Sequence, residues 1–386
     1  MDRVPLGPLT FTALVGLLLI ITASSSIPQA GLESNDAPPD PPATAESEPV
    51  ADTPARGLTL RLPTSNDGLL RGSESTFYQD LERTVPGLRR FRWEGGQYGF
   101  VRNQARTPAG PIFTRLHQGV DIRPLYRDRQ GVPLDTVRAI DDGTVVYVNR
   151  AAGNSSYGRY LVIEHLWSGS PVYSLLAHME TITVRPGDAV AGGDPVGRMG
   201  YTGRGLNRQR AHVHMEIGLL LNDSYQRWHD ARFAGRNHHG IYNGLNLRGV
   251  DVSSLYLTLA ARPGLAFWEF IRSQPVAFRL ALPGQYPLAI LERYPWLSVD
   301  GSMYGDESPG AWLVGFTREG VPVEVSFRDA PVSEPEVVFV AEDIRRGHLS
   351  TGGWLVRNGR DYRVGPAGRS YAALLLASPA GLPDFL

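Results

Sequence analysis

The chain contains neither cysteine nor lysine, so all 38 of its basic residues are arginine. Without thiols there is no cysteine nucleophile, no cysteine-ligated zinc and no disulfide framework. A lipid-modified N-terminal cysteine is excluded for the same reason. Without an ε-amine there is no Walker phosphate loop, no Schiff-base chemistry and no Ser-Lys dyad. An excess of one charge sign is also missing: the formal net charge is −1, and scattered arginines give no bulk attraction to nucleic acid. The apolar run at the N-terminus falls short of the roughly 20 residues that cross a bilayer. It spans Leu9 to Ala23 and is interrupted by Thr10, Thr12, Gly16 and Thr22.

That run is followed by Ala23-Ser24-Ser25-Ser26, so residues 1–26 read as a secretory signal peptide. An uncleaved anchor is the other reading, because Asp2 offsets Arg3 in the n-region. Once the leader is cleaved, no stable membrane span is expected, and the mature chain starts between Ser24 and Gly31. Residues 27–57 carry Pro28, Pro38, Pro39, Pro41, Pro42, Pro49 and Pro54 among Ala, Ser, Asp and Glu. Such a stretch buries too little apolar surface to fold and is expected to be a disordered, semi-extended linker.

Residues 58–250 and 251–386 are expected to form two further domains. The first reads as short strands between turn signals: Thr144 to Val148, Tyr160 to Ile163 and Pro171 to Leu176, separated by Asp142-Gly143, Gly153-Asn154 and Ser168-Gly169. That density predicts a mainly β protein with an antiparallel sheet. A short helix is expected near Ser75 to Thr84 and a longer one over Val252 to Ile271. Beyond Gln274 strands dominate again, with Trp312 to Phe316 and Val323 to Phe327 around Arg318-Glu319-Gly320. Trp354 to Val356 and Tyr362 to Val364 flank Asn358-Gly359, a strong hairpin signal. The second domain is thus smaller and β-rich. Its role is open, and no internal repeat is apparent.

Five polar residues stand in segments that otherwise look like core strands. His117 and Asp121 lie in Leu116-His117-Gln118-Gly119-Val120-Asp121-Ile122, His178 follows Leu176-Ala177, and His212 and His214 lie in Ala211-His212-Val213-His214-Met215-Glu216-Ile217. Each alone is most simply a hydrogen-bonded core residue. Together they are four of only nine histidines plus an aspartate in apolar surroundings, and burying them requires partners. Residues i and i+2 of a strand share a face. A shared metal site is therefore the better reading of the set, with three ligands and an open position as catalytic zinc requires. Spacing does not say whether His212 or His214 is the ligand.

Through these motifs, residues 98–217 resemble the LytM/lysostaphin-type zinc endopeptidases (the M23 class), which cut peptides of bacterial peptidoglycan. The matching pieces run in order: Tyr98-Gly99-Phe100-Val101-Arg102, His117-Gln118-Gly119-Val120-Asp121, Ile163-Glu164-His165, Leu176-Ala177-His178-Met179, Val184 to Val190, Gly197 to Gly203, and His212-Val213-His214-Met215-Glu216-Ile217. The resemblance implies one Zn²⁺ per chain held by His117, Asp121 and His214, with His178 and His212 acting on water and transition state. It implies a LytM-like fold for the first domain, peptidoglycan peptides as substrate, and export to the periplasm, cell envelope or exterior of a bacterium.

The sequence departs from the family between Gly203 and His212. A short Ser/Thr-Gly-Pro connection is usual there, whereas this chain has Arg204-Gly205-Leu206-Asn207-Arg208-Gln209-Arg210-Ala211. Arg204, Arg208 and Arg210 are candidate forks for substrate carboxylates, although a solvated surface loop reads equally well. Glu216 either orients a ligand imidazole or ends a strand at the surface. His165 reads as structural and His238-His239 as part of a loop at the cleft rim, while His229 and His348 carry no signal. Two other function classes compete with the peptidase. One is a catalytically inactive relative that binds and activates a cell-wall amidase, in which ligands are lost. The other is a carbohydrate-binding β-protein, which would not need the five-residue set.

Overall fold

Period-2 alternation builds the centre of the molecule, and its clearest case is the strand that carries the His-X-His motif. In Val213–Leu220, the side chains of Val213, Met215, Ile217 and Leu219 enter the main core fully buried. Burying each of these contributes about 1.5–3 kcal/mol. The intervening positions face the other side of the sheet, which is where His214 and Glu216 sit. The computed structural model describes residues 57–81, 91–107, 110–299, 309–342 and 353–386. The expected leader and the linker up to residue 56 lie outside these. Among the described residues, no helix is long and apolar enough to cross a membrane.

In chain order the first strands are β1 (Val101–Thr107), β2 (Gly110–Leu116), β3 (Val120–Ile122), β4 (Thr136–Arg138), β5 (Gly143–Asn149) and β6 (Tyr160–Trp167). They are followed by β7 (Ser170–Ala177), β8 (Met179–Ile182), β9 (Ala189–Val190), β10 (Pro195–Met199), β11 (Val213–Leu220) and β12 (Leu247–Gly249). A seven-stranded antiparallel sheet runs β12-β11-β7-β6-β5-β9, with β3 pairing to β11 as well. A three-stranded sheet runs β4-β10-β8, and β1-β2 form a hairpin. The main core lies on one face of the large sheet and takes Leu161, Ile163, Val172 and Leu176. The other face collects Tyr160, Val162, Tyr173, Leu175, Ala177, Leu220 and Leu247 in a separate apolar cluster. The expected strands at 144–148, 160–163 and 171–176 are β5, β6 and β7.

The second half adds β13 (Phe278–Pro283), β14 (Ala311–Phe316), β15 (Pro322–Arg328), β16 (Glu336–Val340), β17 (Leu355–Asn358) and β18 (Asp361–Val364). Their orders are β15-β14-β13-β16 and β17-β18, all antiparallel, so the C-terminal half is β-rich as expected. The expected strands at 312–316 and 323–327 pair as β14-β15, and the hairpin read at Asn358-Gly359 is β17-β18. The buried core runs without a break from β3 and β11 into Phe278, Val314 and Leu374.

Among the described residues, six α-helices accompany the sheets. The first two are α1 (Glu74–Phe77) and α2 (Tyr225–Arg232), then α3 (Val252–Ala261) and α4 (Phe267–Arg272), then α5 (Ile290–Arg293) and α6 (Pro366–Leu375). The expected helix near 75–84 is a single turn. The expected helix over 252–271 is two helices. Asp251 caps α3 by accepting from Ser254 N at 2.9 Å. Pro263 then breaks the helical pattern and Gly264 takes φ +91°, turning the chain into α4. The helix α6 was not expected from the sequence. It is held to the first half by Trp228 Nε1 donating to Ser370 O at 2.7 Å and Asn222 Nδ2 donating to Ala377 O at 2.7 Å.

Candidate metal centre

Strand register brings the expected residues together. In the β3-β11 ladder Asp121 stands directly opposite His214, and across β11 the partner of His214 is Ala177, the residue before His178. Gly119 permits the approach of the loop that carries His117, since a Cβ there would lie 2.2 Å from Met215 O. His178, just after β7, lies in the left-handed region at φ +64°, one of two non-glycine residues with positive φ among the described residues. Histidine is among the residues that tolerate this conformation, and such outliers cluster at functional sites.

Three donor atoms converge at the base of a cleft. His117 Nε2 is 3.0 Å from Asp121 Oδ1 and 3.0 Å from His214 Nδ1, and His214 Nδ1 is 2.8 Å from Asp121 Oδ1. One ligand atom from each residue falls within 4.8 Å of the others. His212 Nε2 lies 3.4 Å from Asp121 Oδ1, and the rings of His178 and His212 are 4.7 Å apart at 70°. All five side chains are at least 91 % buried.

The far nitrogen of each imidazole is tied down. His117 Nδ1 donates to Gln97 O at 2.7 Å, His178 Nδ1 to Thr202 O at 2.9 Å and His212 Nδ1 to Arg210 O at 2.7 Å. A carbonyl cannot donate, so in the neutral rings each Nε2 carries the lone pair. His214 is different, because its Nε2 meets Glu216 Oε1 at 2.8 Å while its Nδ1 meets Asp121. Tyr157 donates its hydroxyl to the same Glu216 oxygen at 2.6 Å. Glu216 is thus buried behind His214 rather than at the surface, the second of its two sequence readings being the one excluded.

Electrostatics follow from these contacts. Burial opposes charge on His214, but hydrogen bonds to Asp121 and Glu216 overcome it and push its pKa up to about 9. Burial would raise the Glu216 carboxyl, yet the hydrogen bond and charge of His214 hold it below the ordinary value. His178 moves the other way: burial, with His212 and His214 beside it, takes it well below the usual imidazole range. The donor set fits a divalent cation. If Nε2–H of His214 stays on Glu216, then His214 Nδ1, His117 Nε2 and Asp121 Oδ1 direct three lone pairs at one point with no proton between them. Either a second proton on His214 or a cation answers that arrangement, and two imidazoles with one carboxylate are a zinc donor set.

The cleft above has a volume of about 1010 Å³. Arg204 and Arg210 line it; Arg208 is exposed and not among the lining residues, and its carbonyl accepts from Arg127 at 2.7 Å. His238, His239 and His229 also reach the cleft wall. His165 is a core residue, donating from Nδ1 to Asp142 O and accepting at Nε2 from the Ser174 hydroxyl, both at 2.8 Å. His348 lies outside the described residues. Sequence reading did not single out Tyr157, Arg248, Glu319 or Trp354, which line the same cleft. Their flanking residues carry no periodic or metal-spacing signal that would have found them.

The profile of peptidase family M23 matches residues 115–226, which contain all five site residues. Among solved structures, the catalytic domain of the antimicrobial peptidase lysostaphin from Staphylococcus simulans is similar at 18 % identity over 42 % of this chain and 89 % of that chain, with a TM-score of 0.26. A zinc-containing peptidase from Vibrio cholerae is similar at 24 % identity over 38 % of this chain and 37 % of that one, TM-score 0.23. The SpoIIIAH and SpoIIQ complex contributes a chain at 17 % identity over 41 % and 91 %, TM-score 0.26. The match to peptidase family M23 thus spans residues 115–226, the segment that brings the five site residues together.

Proposed function

We propose that the protein is an exported zinc endopeptidase that hydrolyses peptide bonds in the stem or cross-bridge peptides of peptidoglycan. The observation that carries this reading is the convergence of His117, Asp121 and His214 at one point with His178 and His212 beside them. A zinc ion held by the first three supplies Lewis acidity toward a carbonyl and lowers the pKa of water to about 7. His178 and His212, fixed through Nδ1 on backbone carbonyls, offer Nε2 to the cleft they line. A neutral Nε2 accepts the proton of an attacking water and, once protonated, donates to the oxyanion or the departing amine. Burial and the neighbouring imidazoles keep the His178 ring neutral, with its Nε2 lone pair free. Glu216, braced by Tyr157, fixes the tautomer and orientation of His214. The complete residue set weighs against the inactive, amidase-activating alternative, in which ligands are lost. The Leu9 to Ala23 run and the small residues after it support export.

The test is digestion of purified sacculi by the zinc-loaded chain, with fragments sized by mass spectrometry. Release of uncross-linked muropeptides is expected, with little cleavage of casein. Small or D-configured wall residues lack the L-side-chain contacts that ordinary proteases read. Sacculi left intact by zinc-loaded protein would overturn hydrolysis and favour the partner-activating role.

A further inference from the structure

Among the described residues, three buried side-chain atoms lack a hydrogen-bond partner, and all three belong to residues lining the cleft: Glu216 Oε2, His239 Nε2 and Arg248 Nε. Arg248 alone among them carries a permanent charge. It is 93 % buried, yet no described acidic side chain forms an ion pair with it. A buried guanidinium without an anion is a costly arrangement, and a bound carboxylate would offset that cost. The side chain is nonetheless firmly placed. Its backbone is on β12, paired to Leu219 of β11. Its Nη1 donates to Gln118 Oε1 at 3.1 Å, and Gln118 Nε2 donates in turn to Gly244 O at 2.8 Å. Its Cζ lies 5.1 Å from the ring of Trp354 and 5.0 Å from that of Tyr371, which stack on each other at 4.3 Å. Tyr371 is anchored through its hydroxyl to Gly320 O at 2.8 Å.

We propose that Arg248 is a carboxylate-binding subsite of the cleft, held in place by Trp354 and Tyr371 of the C-terminal half, and that it selects peptide substrates bearing a free carboxylate. The inference rests on the peptidase reading for the identity of that peptide. Gln118 follows the ligand residue His117, so the subsite opens beside the metal centre. A planar guanidinium whose Nε is unpaired offers an edge that matches a carboxylate bidentately. Glu216 and Glu319 share the cleft wall, and their negative charge opposes a dianion more strongly than a single carboxylate. The C-terminal half thereby acquires a role in substrate selection, because two of its rings shape the subsite. Arg248 is a specificity residue here and takes no part in proton transfer.

The experiment is isothermal titration of the zinc-loaded full chain with an uncross-linked stem tetrapeptide, once with its free C-terminal carboxylate and once as the carboxamide. Losing a hydrogen-bonded charge partner weakens binding about 10- to 100-fold, so the acid is expected to bind tighter than the amide by that factor. Arg248→Gln should bind both forms at the level of the amide, and Arg248→Lys should retain part of the preference. Trp354→Leu should weaken the acid more than the amide. Equal binding of acid and amide by the unaltered chain overturns the subsite, as does an acid preference that survives in folded Arg248→Gln. If Arg248→Gln does not fold, the acid-to-amide ratio of the unaltered chain still decides. An acid preference in protein that leaves sacculi intact supports the subsite and sinks hydrolysis; digestion of sacculi without any acid preference does the reverse.

Discussion

His165 and His214 are both buried on strands of the same antiparallel sheet, yet the two ends of that sheet are chemically unlike. His165 on β6 meets a carbonyl and a hydroxyl, is satisfied as a neutral ring, and has its pKa lowered by burial. His214 on β11 meets two carboxylates and a second imidazole, so its surroundings demand positive charge. Burial does not distinguish them. What distinguishes them is whether the neighbours complete a neutral hydrogen-bond set or leave lone pairs facing one another, and only the second arrangement calls for a cation.

The comparison can be broken most forcefully at the ligands. His117→Ala, Asp121→Ala and His214→Ala should each fall from about one zinc per chain to near none, a loss well beyond the 10- to 100-fold typical of outer contacts. Elemental analysis showing full zinc in all three variants would sink the site. The next effect is on rate. His178→Ala and His212→Ala should keep their zinc and lose about 10²- to 10⁴-fold in turnover on sacculi. Zinc loss in the His212 variant would mean that the two members of the His-X-His pair had exchanged roles.

Smaller effects sharpen the contrast. Glu216→Gln should keep the fold but lower zinc affinity about 10- to 100-fold, measured by competition with a chelator. Unchanged affinity would reduce Glu216 to a packing residue. His165→Ala should leave zinc affinity alone and cost about 2 kcal/mol in urea unfolding, since the Ser174 hydroxyl and Asp142 carbonyl lose their partner. A zinc defect in that variant would erase the distinction between the two ends of the sheet.

Much of the site was legible because its logic is local. His212 and His214 fall on one side of a strand through the pleat, and ionisable residues among Val, Ile and Met announce a buried polar cluster before any fold is known. The strands around Arg318-Glu319-Gly320 and the hairpin at Asn358-Gly359 were legible because turn chemistry is a property of two or three residues. The long helix over 252–271 was misread because its apolar content outweighed Pro263-Gly264, which turn the chain sharply enough to start a new helix. Arg208 was grouped with Arg204 and Arg210 by proximity in sequence, and the turn at Arg208–Arg210 separates it from them.

By itself the sequence determined the donor types, their order along the chain, and a β-rich architecture free of thiol and amine chemistry. Those follow from residue identity and from periods of a few residues. Tertiary structure decided that Asp121 stands opposite His214, that Glu216 turns inward onto the ligand ring, and that Arg248 meets rings more than a hundred residues away in Trp354 and Tyr371. Pairing register and packing between distant segments are set by the burial of whole faces at once, and no short window of sequence contains that information.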